Sequence, residues 1–331
     1  MKTLFKLLVL VFLAGAGWLA YSIASPVTPP TAAPIHTLVL KSGSTARQIA
    51  RLLESEGVIR NRYAFLFWHT VDGRKSLKAG EYQFIASANV MEVHARIVRG
   101  DVFARTVVIP EGFNLYEIAY ALDAAGICTA GEFVKVARTE KKIIADLDSA
   151  APSLEGYLFP DTYNFSRTQT AHDVAALMVR RFRQEAENIG LNTNDNMHRT
   201  VTLASIVEKE TSVAEERPVV AGVFENRLAK HIALATDPSV IYASLLIGKY
   251  DGVIRESDLQ LDSAYNTYKK AGLPPGPIAN PGRAALQAAM HPDRNDYLYF
   301  VANNKGGHNF AKTLDEHNRN VASYRKGAAQ K

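Results

Sequence analysis

The sequence predicts an α+β protein made of an N-terminal transmembrane helix, small β-α units, and a larger mixed α+β domain. Three observations carry this reading. Residues Leu7 to Ala24 hold no charged side chain. A strand, a glycine turn and a helix then occur twice in matching order. The last third alternates helix-period strings with Pro/Gly loops and closes on two short alternating runs around a Gly-Gly pair. With 331 residues, 47% hydrophobic and 21% charged, the chain has the composition of a folded protein and room for two domains. The expected division is 1–24 as a short cytoplasmic stub and anchor, 25–36 as a linker, 37–152 as the β-α repeat region, and 153–331 as the larger domain.

The N-terminal run of about 18 uncharged residues is at the threshold for spanning a bilayer. Trp18 and Tyr21 near its far end resemble an interfacial belt, which favours a retained anchor. Ser22-Ile23-Ala24 also has the small-x-small form of a cleavage site, so a removed signal peptide is the alternative. Lys2 and Lys6 precede the span and no formal charge follows until Lys41, which places the N-terminus in the cytoplasm and the body outside. "SPVTPPTAAPIH", Ser25 to His36, is a Pro-rich spacer.

"TLVLKSGSTARQIARLLESEGVI" from Thr37 aligns without a gap on "TVVIPEGFNLYEIAYALDAAGI" from Thr106. Each has an alternating strand, a turn at Gly43 or Gly112, a helix carrying Ile49-Ala50 or Ile118-Ala119, and a stop at Gly57 or Gly126. Between them lie a strand, Glu81 to Ile85, and a helix ending at Gly100. The Gly43-Ser44-Thr45 turn makes the first unit LysM-like, with glycan binding or a purely structural role both open. A turn-rich join, "SLEGYLFPDTYNF", places Glu155 and Asp161 among aromatics, and a basic amphipathic helix follows over Asp173 to Ile189.

The third region holds the helix "LASIVEKETSV". At 3.6 residues per turn, Glu210 shares a face with Leu203, Ile206 and Val207, where a core residue is due. Glu208 lies off that stripe, and Lys209 falls on another side with Ser205. A carboxyl held against apolar side chains loses hydration of its charged form, so its pKa rises toward neutrality, as suits a general acid. The alternative is a structural ion pair with Arg217 or Arg227. Further along come the helices "RPVVAGVFENRLAKH" and "LATDPSVIYASLL", a Pro/Gly loop feeding a short helix, a strand, a turn at Gly306-Gly307, a second strand and a closing helix.

Several classes are excluded. The net charge of +5 is spread without a dense Lys/Arg block, so nucleic acid is not an expected partner. A single cysteine, Cys128, rules out an intramolecular disulfide framework and a Cys-based zinc site. No HExxH, G-x-S-x-G or Walker loop occurs, and no GxGxxG follows a strand. His291, His308 and His317 read as loop or surface residues, and neither metal nor cofactor is expected.

Taken together, "LASIVEKET", "FENRL", "LATDPSVIY", "SAYNTYKKAGLPPGPIANPG" and "LYFVANNKGGHNF" resemble the endolytic murein transglycosylase family, also called MltG or YceG-like. "EGYLFPDTY" and the anchor agree with it. The resemblance implies a lyase that cuts the MurNAc–GlcNAc β-1,4 bond inside peptidoglycan strands, leaves 1,6-anhydro-MurNAc ends and so limits glycan elongation. It implies a single-pass protein of the bacterial inner membrane with a periplasmic catalytic domain. Its partners would be peptidoglycan glycan strands, with peptidoglycan synthases as further candidates. The family's catalytic glutamate, second in Glu-Lys-Glu-Thr, falls on Glu210. Since the sugar's own C6 hydroxyl attacks in that reaction, one carboxyl serves as acid and then base. Candidate substrate contacts are Tyr265, Asn266, Thr267 and Asn280, chosen for amide and hydroxyl groups that suit sugar hydroxyls and acetamides, with Thr211 and Asp237 as groups supporting the site and His308 flanking the cleft. Two other readings stay open: a muramidase using two carboxylates, with Asp237 or Glu155 as the second, and a non-catalytic peptidoglycan-binding anchor.

Overall fold

The computed structural model describes residues 2–27, 37–84, 87–166, 169–192 and 196–328. Most of the expected spacer, Ser25 to His36, and the expected strand end at Ile85 lie outside these residues. The chain forms two compact units, Met1–Thr106 with Asn164–Thr170, and Val107–Tyr163 with Ala171–Lys331.

In the first unit, α1 (Lys2–Ala24) is the one helix among the described residues long and apolar enough to cross a membrane. Its 23 residues span about 34 Å, against a hydrocarbon core of about 30 Å. A signal sequence meets the same criterion. The end of α1 is not free: Leu19 and Ile23 pack on the unit's core, Ser22 is buried, and the Arg60 guanidinium lies 5.6 Å over the Tyr21 ring. Then follow β1 (Thr37–Leu40), α2 (Ala46–Ser55), α3 (Arg62–Val71), β2 (Gly80–Gln83) and α4 (Val90–Arg99). β1 and β2 pair antiparallel from Thr37 opposite Gln83 to Leu40 opposite Gly80. Alternation turns Leu38 and Leu40 inward, onto Ile49, Leu53, Phe65, Val93 and Ile97.

The helix starts follow from capping chemistry. Thr45 accepts from the Gln48 N–H while the Gln48 side chain accepts from the Thr45 N–H, and Asn89 with Glu92 does the same for α4. The helix α3, which sequence reasoning did not identify, starts at Asn61, whose side chain accepts the Tyr63 and Ala64 N–H groups without a reciprocal bond. Its string, RYAFLFWHTV, is apolar on nearly every side and so lacks a readable stripe.

β3 (Arg105–Val108) and β4 (Thr162–Phe165) form a two-stranded sheet, and the division between the units falls within both strands. In the second unit α5 (Leu115–Ala124) packs on α6 (Ala130–Thr139), and α6 on α7 (Ala171–Asn188). The two repeats match in detail: Gly43 and Gly112 have φ of 80° and 77°, and Gly57 and Gly126 of 70° and 66°. All four take the left-handed conformation that glycine adopts without penalty. The second repeat nevertheless belongs to the second unit and the first to the first.

The core of the second unit is α8 (Met197–Glu210), buried at every residue from Thr200 to Val207. It is therefore an interior helix rather than the one-sided stripe its period suggests. Its polar residues find local partners: the Thr202 hydroxyl donates to the His198 carbonyl and Ser205 to that of Thr202. Around it stand α9 (Arg217–Ala229), α10 (Asp237–Leu246) and α11 (Arg283–Met290). The antiparallel pair β5 (Tyr299–Ala302) and β6 (His308–Ala311) packs on the closing helix α12 (Leu314–Ala328).

Candidate active site

Glu210 is the last residue of α8, half-buried, and it lines an open cavity of about 420 Å³. The far walls come from Phe224 and Arg227 of α9, Tyr299 and Phe300 of β5, and Leu314 and His317 of α12. The segment Leu234 to Pro238 and Tyr268 complete it. Burial, with the Asp237 carboxylate adding to it and Arg227 opposing, pushes the Glu210 carboxyl up to about 7.

Neither arginine considered as a structural partner forms an ion pair with Glu210. Arg217 is bonded to Glu208 at 2.7 Å and lies 3.7 Å from Glu111. Arg227 donates to the carbonyls of Leu298 at 2.6 Å, Leu234 at 2.8 Å and Ala233 at 3.4 Å. The two glutamates of the helix end thus differ in pairing more than in exposure, because the Glu208 side chain is also withdrawn from solvent. Glu208 holds Arg217 and accepts the Gly282 N–H at 3.0 Å, whereas Glu210 has no side-chain hydrogen bond among the described residues. Lys209 turns the other way and donates to the Gly112 carbonyl.

Of the candidate contacts, Asp237 shares the cavity with Glu210 and accepts the Tyr268 hydroxyl at 2.7 Å. The wall before it is held in an uncommon form: Ala235 has φ of 49°, and its N–H donates to the Thr267 carbonyl. Thr267 and Asn266, expected to contact sugar, are fully buried. The Thr267 hydroxyl oxygen accepts the Thr236 N–H and bonds Ser239, while the Asn266 amide donates to the Leu259 and Leu261 carbonyls and accepts the Tyr268 N–H. Asn280 is buried as completely, accepting the N–H groups of Gly156 and Leu158 and donating to the Phe113 carbonyl and Glu155. Thr267 thus holds Ala235 and Thr236 of the cavity wall and Asn266 holds Tyr268, whereas the partners of Asn280 lie outside that wall.

Tyr265 packs on Tyr242, ring centroids 5.1 Å apart, and does not line the Glu210 cavity. Thr211 and His308 meet through Glu216: the Thr211 hydroxyl donates to it at 3.4 Å, and His308 bonds it through Nδ1 at 2.6 Å and its backbone N–H at 2.8 Å. Burial opposes the charge on Glu216, and the His308 bonds outweigh it, so the carboxyl stays below its ordinary range. Glu155, a candidate second carboxylate, is sealed in the core, bonded to the Leu115 N–H and the Asn280 amide, and pushed up to about 8 by burial. It lines no part of the Glu210 cavity.

Sequence reasoning missed Phe224, Tyr268, Tyr299, Phe300, Leu314 and His317 as cavity residues. His317, expected at a loop or surface, stands on α12 and stacks on Tyr299 at 5.3 Å. The "DYLYF" run and the closing helix lie some 90 residues or more beyond Glu210 in the chain, and only the fold brings them together.

A half-buried carboxyl without a side-chain partner among the described residues thus faces a cavity lined by Phe224, Tyr268, Tyr299 and Phe300. By its sequence the chain belongs to the YceG-like family, whose profile it matches over residues 38–323. It is 32% identical to a Bacillus subtilis protein named endolytic murein transglycosylase, covering 95% of this chain and 91% of that one. A Streptococcus pneumoniae protein of the same name is 29% identical over 87% of this chain, which spans 58% of that longer relative. The crystal structure of a yceG-like protein of Listeria monocytogenes superposes with a TM-score of 0.56 at 34% identity, covering 86% of this chain and 99% of that one.

Proposed function

We propose that the chain is a membrane-anchored endolytic lytic transglycosylase of peptidoglycan, with Glu210 as its acid and then its base. The observation that carries this is an unpaired carboxyl, raised to about 7, facing an open cavity. Protonated, Glu210 gives its proton to the oxygen leaving C1 of MurNAc as the β-1,4 bond breaks. The carboxylate then takes the proton of the C6 hydroxyl as that oxygen closes on C1, giving the 1,6-anhydro end. One proton leaves and one returns, and no water is consumed. A group titrating near neutrality suits both steps.

Asp237 would then lie close enough to keep Glu210 protonated. Asn266 and Thr267 would act by holding the cavity walls, Asn280 by tying the loop before α11 to the core, and Thr211 with His308 by fixing the turn after α8. The first β-α unit, LysM-like in its turn, would add glycan affinity, in a scheme where 37–152 binds and 153–331 cuts. Retention of α1 as the anchor, with the body in the periplasm at the inner membrane, is supported by its packed end. Cleavage after Ala24 would strip Leu19 and Ile23 from the unit's core. A synthase partner would be met at that membrane.

A second reading, a two-carboxylate muramidase, is favoured by Asp237 sharing the cavity. Mass spectrometry of products from uncrosslinked glycan strands separates the two. Anhydro ends from the wild type and none from Glu210→Gln are the expected result. Reducing ends would move the assignment to the muramidase, and intact strands that sediment with the protein would move it to a binder.

A further inference from the structure

His317 has unfinished hydrogen bonding on the wall of the Glu210 cavity. Its Nδ1 is buried without a partner. A neutral imidazole carries one donor and one acceptor nitrogen. A buried acceptor left unpaired is commoner than an orphaned N–H, which assigns the proton to Nε2. Burial, with the Arg227 charge adding to it, holds the ring below its ordinary range, so it stays neutral where Glu210 titrates. The other charged groups here are engaged. Asp237 takes the Tyr268 hydroxyl, and Arg227 donates to three carbonyls. Beside His317, Tyr299 lies stacked at 27° to it with the Arg227 guanidinium 5.3 Å over the same ring, and Phe300 and Leu314 line the cavity with them.

A single N–H donor with Leu314 on the same cavity wall matches an acetamide, which offers one strong acceptor and a methyl. We propose that His317 donates from Nε2 to the acetamide carbonyl of the bound sugar, whose methyl rests against Leu314. This rests on the reading of the cavity as a glycan site. His317 is then a specificity-determining residue that selects N-acetylated strands and does not itself move a proton in the reaction.

The test uses the full chain in detergent with His317→Phe, which keeps the ring stack, and His317→Gln, which keeps an N–H donor. In the Glu210→Gln background, binding to uncrosslinked glycan is expected to weaken about tenfold for His317→Phe and to be largely kept by His317→Gln. On strands stripped of their N-acetyl groups that difference vanishes, the signature of a coupled pair. In the active protein the pH profile keeps the limb set by Glu210. His317→Phe binding as tightly as its parent, or losing equally on both glycans, overturns the inference. Should His317→Phe fail to fold, His317→Gln and the parent on the two glycans decide it: a parent indifferent to N-acetylation overturns it. If the active protein yields no anhydro ends, the proposed reaction falls, while the binding comparison still decides the role of His317.

Discussion

A carboxyl on the last residue of a helix sits beside backbone carbonyls that lack an N–H partner, so the helix end itself disfavours its charge. Glu210 occupies that place in α8, in addition to the burial and the Asp237 carboxylate that raise it. In an unfolded chain the group titrates near 4.5 and in the fold near 7. The fold therefore holds the proton more tightly, and the stability this contributes is complete below pH 4.5 and lost as pH rises through about 7. Glu210→Gln should unfold at higher temperature than the wild type at pH 8 and with a gap that closes by pH 4.5, as thermal melts across pH will show. For the same reason kcat/KM for glycan should decline above about pH 7, where the acid is lost. Arg217 gives the contrasting case, since it neutralises a second withdrawn carboxyl. Arg217→Met leaves Glu208 buried and unpaired and should cost about 3–5 kcal/mol in denaturant unfolding, more than the double variant with Glu208→Gln.

Among the elements, the Pro/Gly loop before α11 does its work through Asn280. This side chain joins three separate segments, at Phe113, at Glu155 to Leu158, and at its own loop. Asn280→Ala strands the Gly156 and Leu158 N–H groups in the core and removes one bond each from the Phe113 carbonyl and Glu155, which keep the residue-280 N–H and the Leu115 N–H. At about 1 kcal/mol for each bond, with a further cost for orphaned groups, the loss should reach about 3 kcal/mol or more in denaturant titration. Gly156, beside it, leaves no room for a side chain: a Cβ would lie 2.5 Å from Pro277, and its φ is 87°. These sequence strings were readable as special because proline and glycine are dense in them. Their role was not readable, because a buried amide and a sugar-binding amide are the same residue in a one-dimensional string. Helix existence was legible over α7 to α12 from runs of apolar and helix-forming residues, helped by prolines at the starts of α9 and α10, although no side chain caps α9, α10 or α11. The stripe through Leu203 and Val207 singled out the glutamate that lines the cavity, although α8 is buried on every side from Thr200 to Val207, so the period alone was not its physical cause.

For the whole molecule, the end of α1 and the first unit behave as one structure. Leu19 and Ile23 contribute burial worth about 1 kcal/mol each when partly covered, so removing residues 2–24 should loosen α3 and α4. Hydrogen exchange in α3 and α4 is expected to speed up in the truncated chain, with α8 unaffected because it belongs to the other unit. Exchange unchanged in α3 would remove this support for a retained anchor. The internal repeat was visible from end to end in the sequence, as its four matched glycines attest. The assignment of its two copies to different units depends on which surfaces each buries, and that was not.

The sequence by itself determined the elements and their signals: an uncharged run long enough for a bilayer, two β-α units stopped by glycine, and a glutamate at a helix end where an apolar residue was due. These are local matters, fixed by residues within one or two turns of each other. Only the tertiary structure decided which partner each charged or polar group found. Arg217 went to Glu208 and Arg227 to backbone carbonyls, leaving Glu210 unpaired; Glu155 was sealed in the core, and His317 was brought to the cavity from the last helix. The physical reason is that pKa, pairing and access depend on distances across the fold, which residue order and periodicity do not encode.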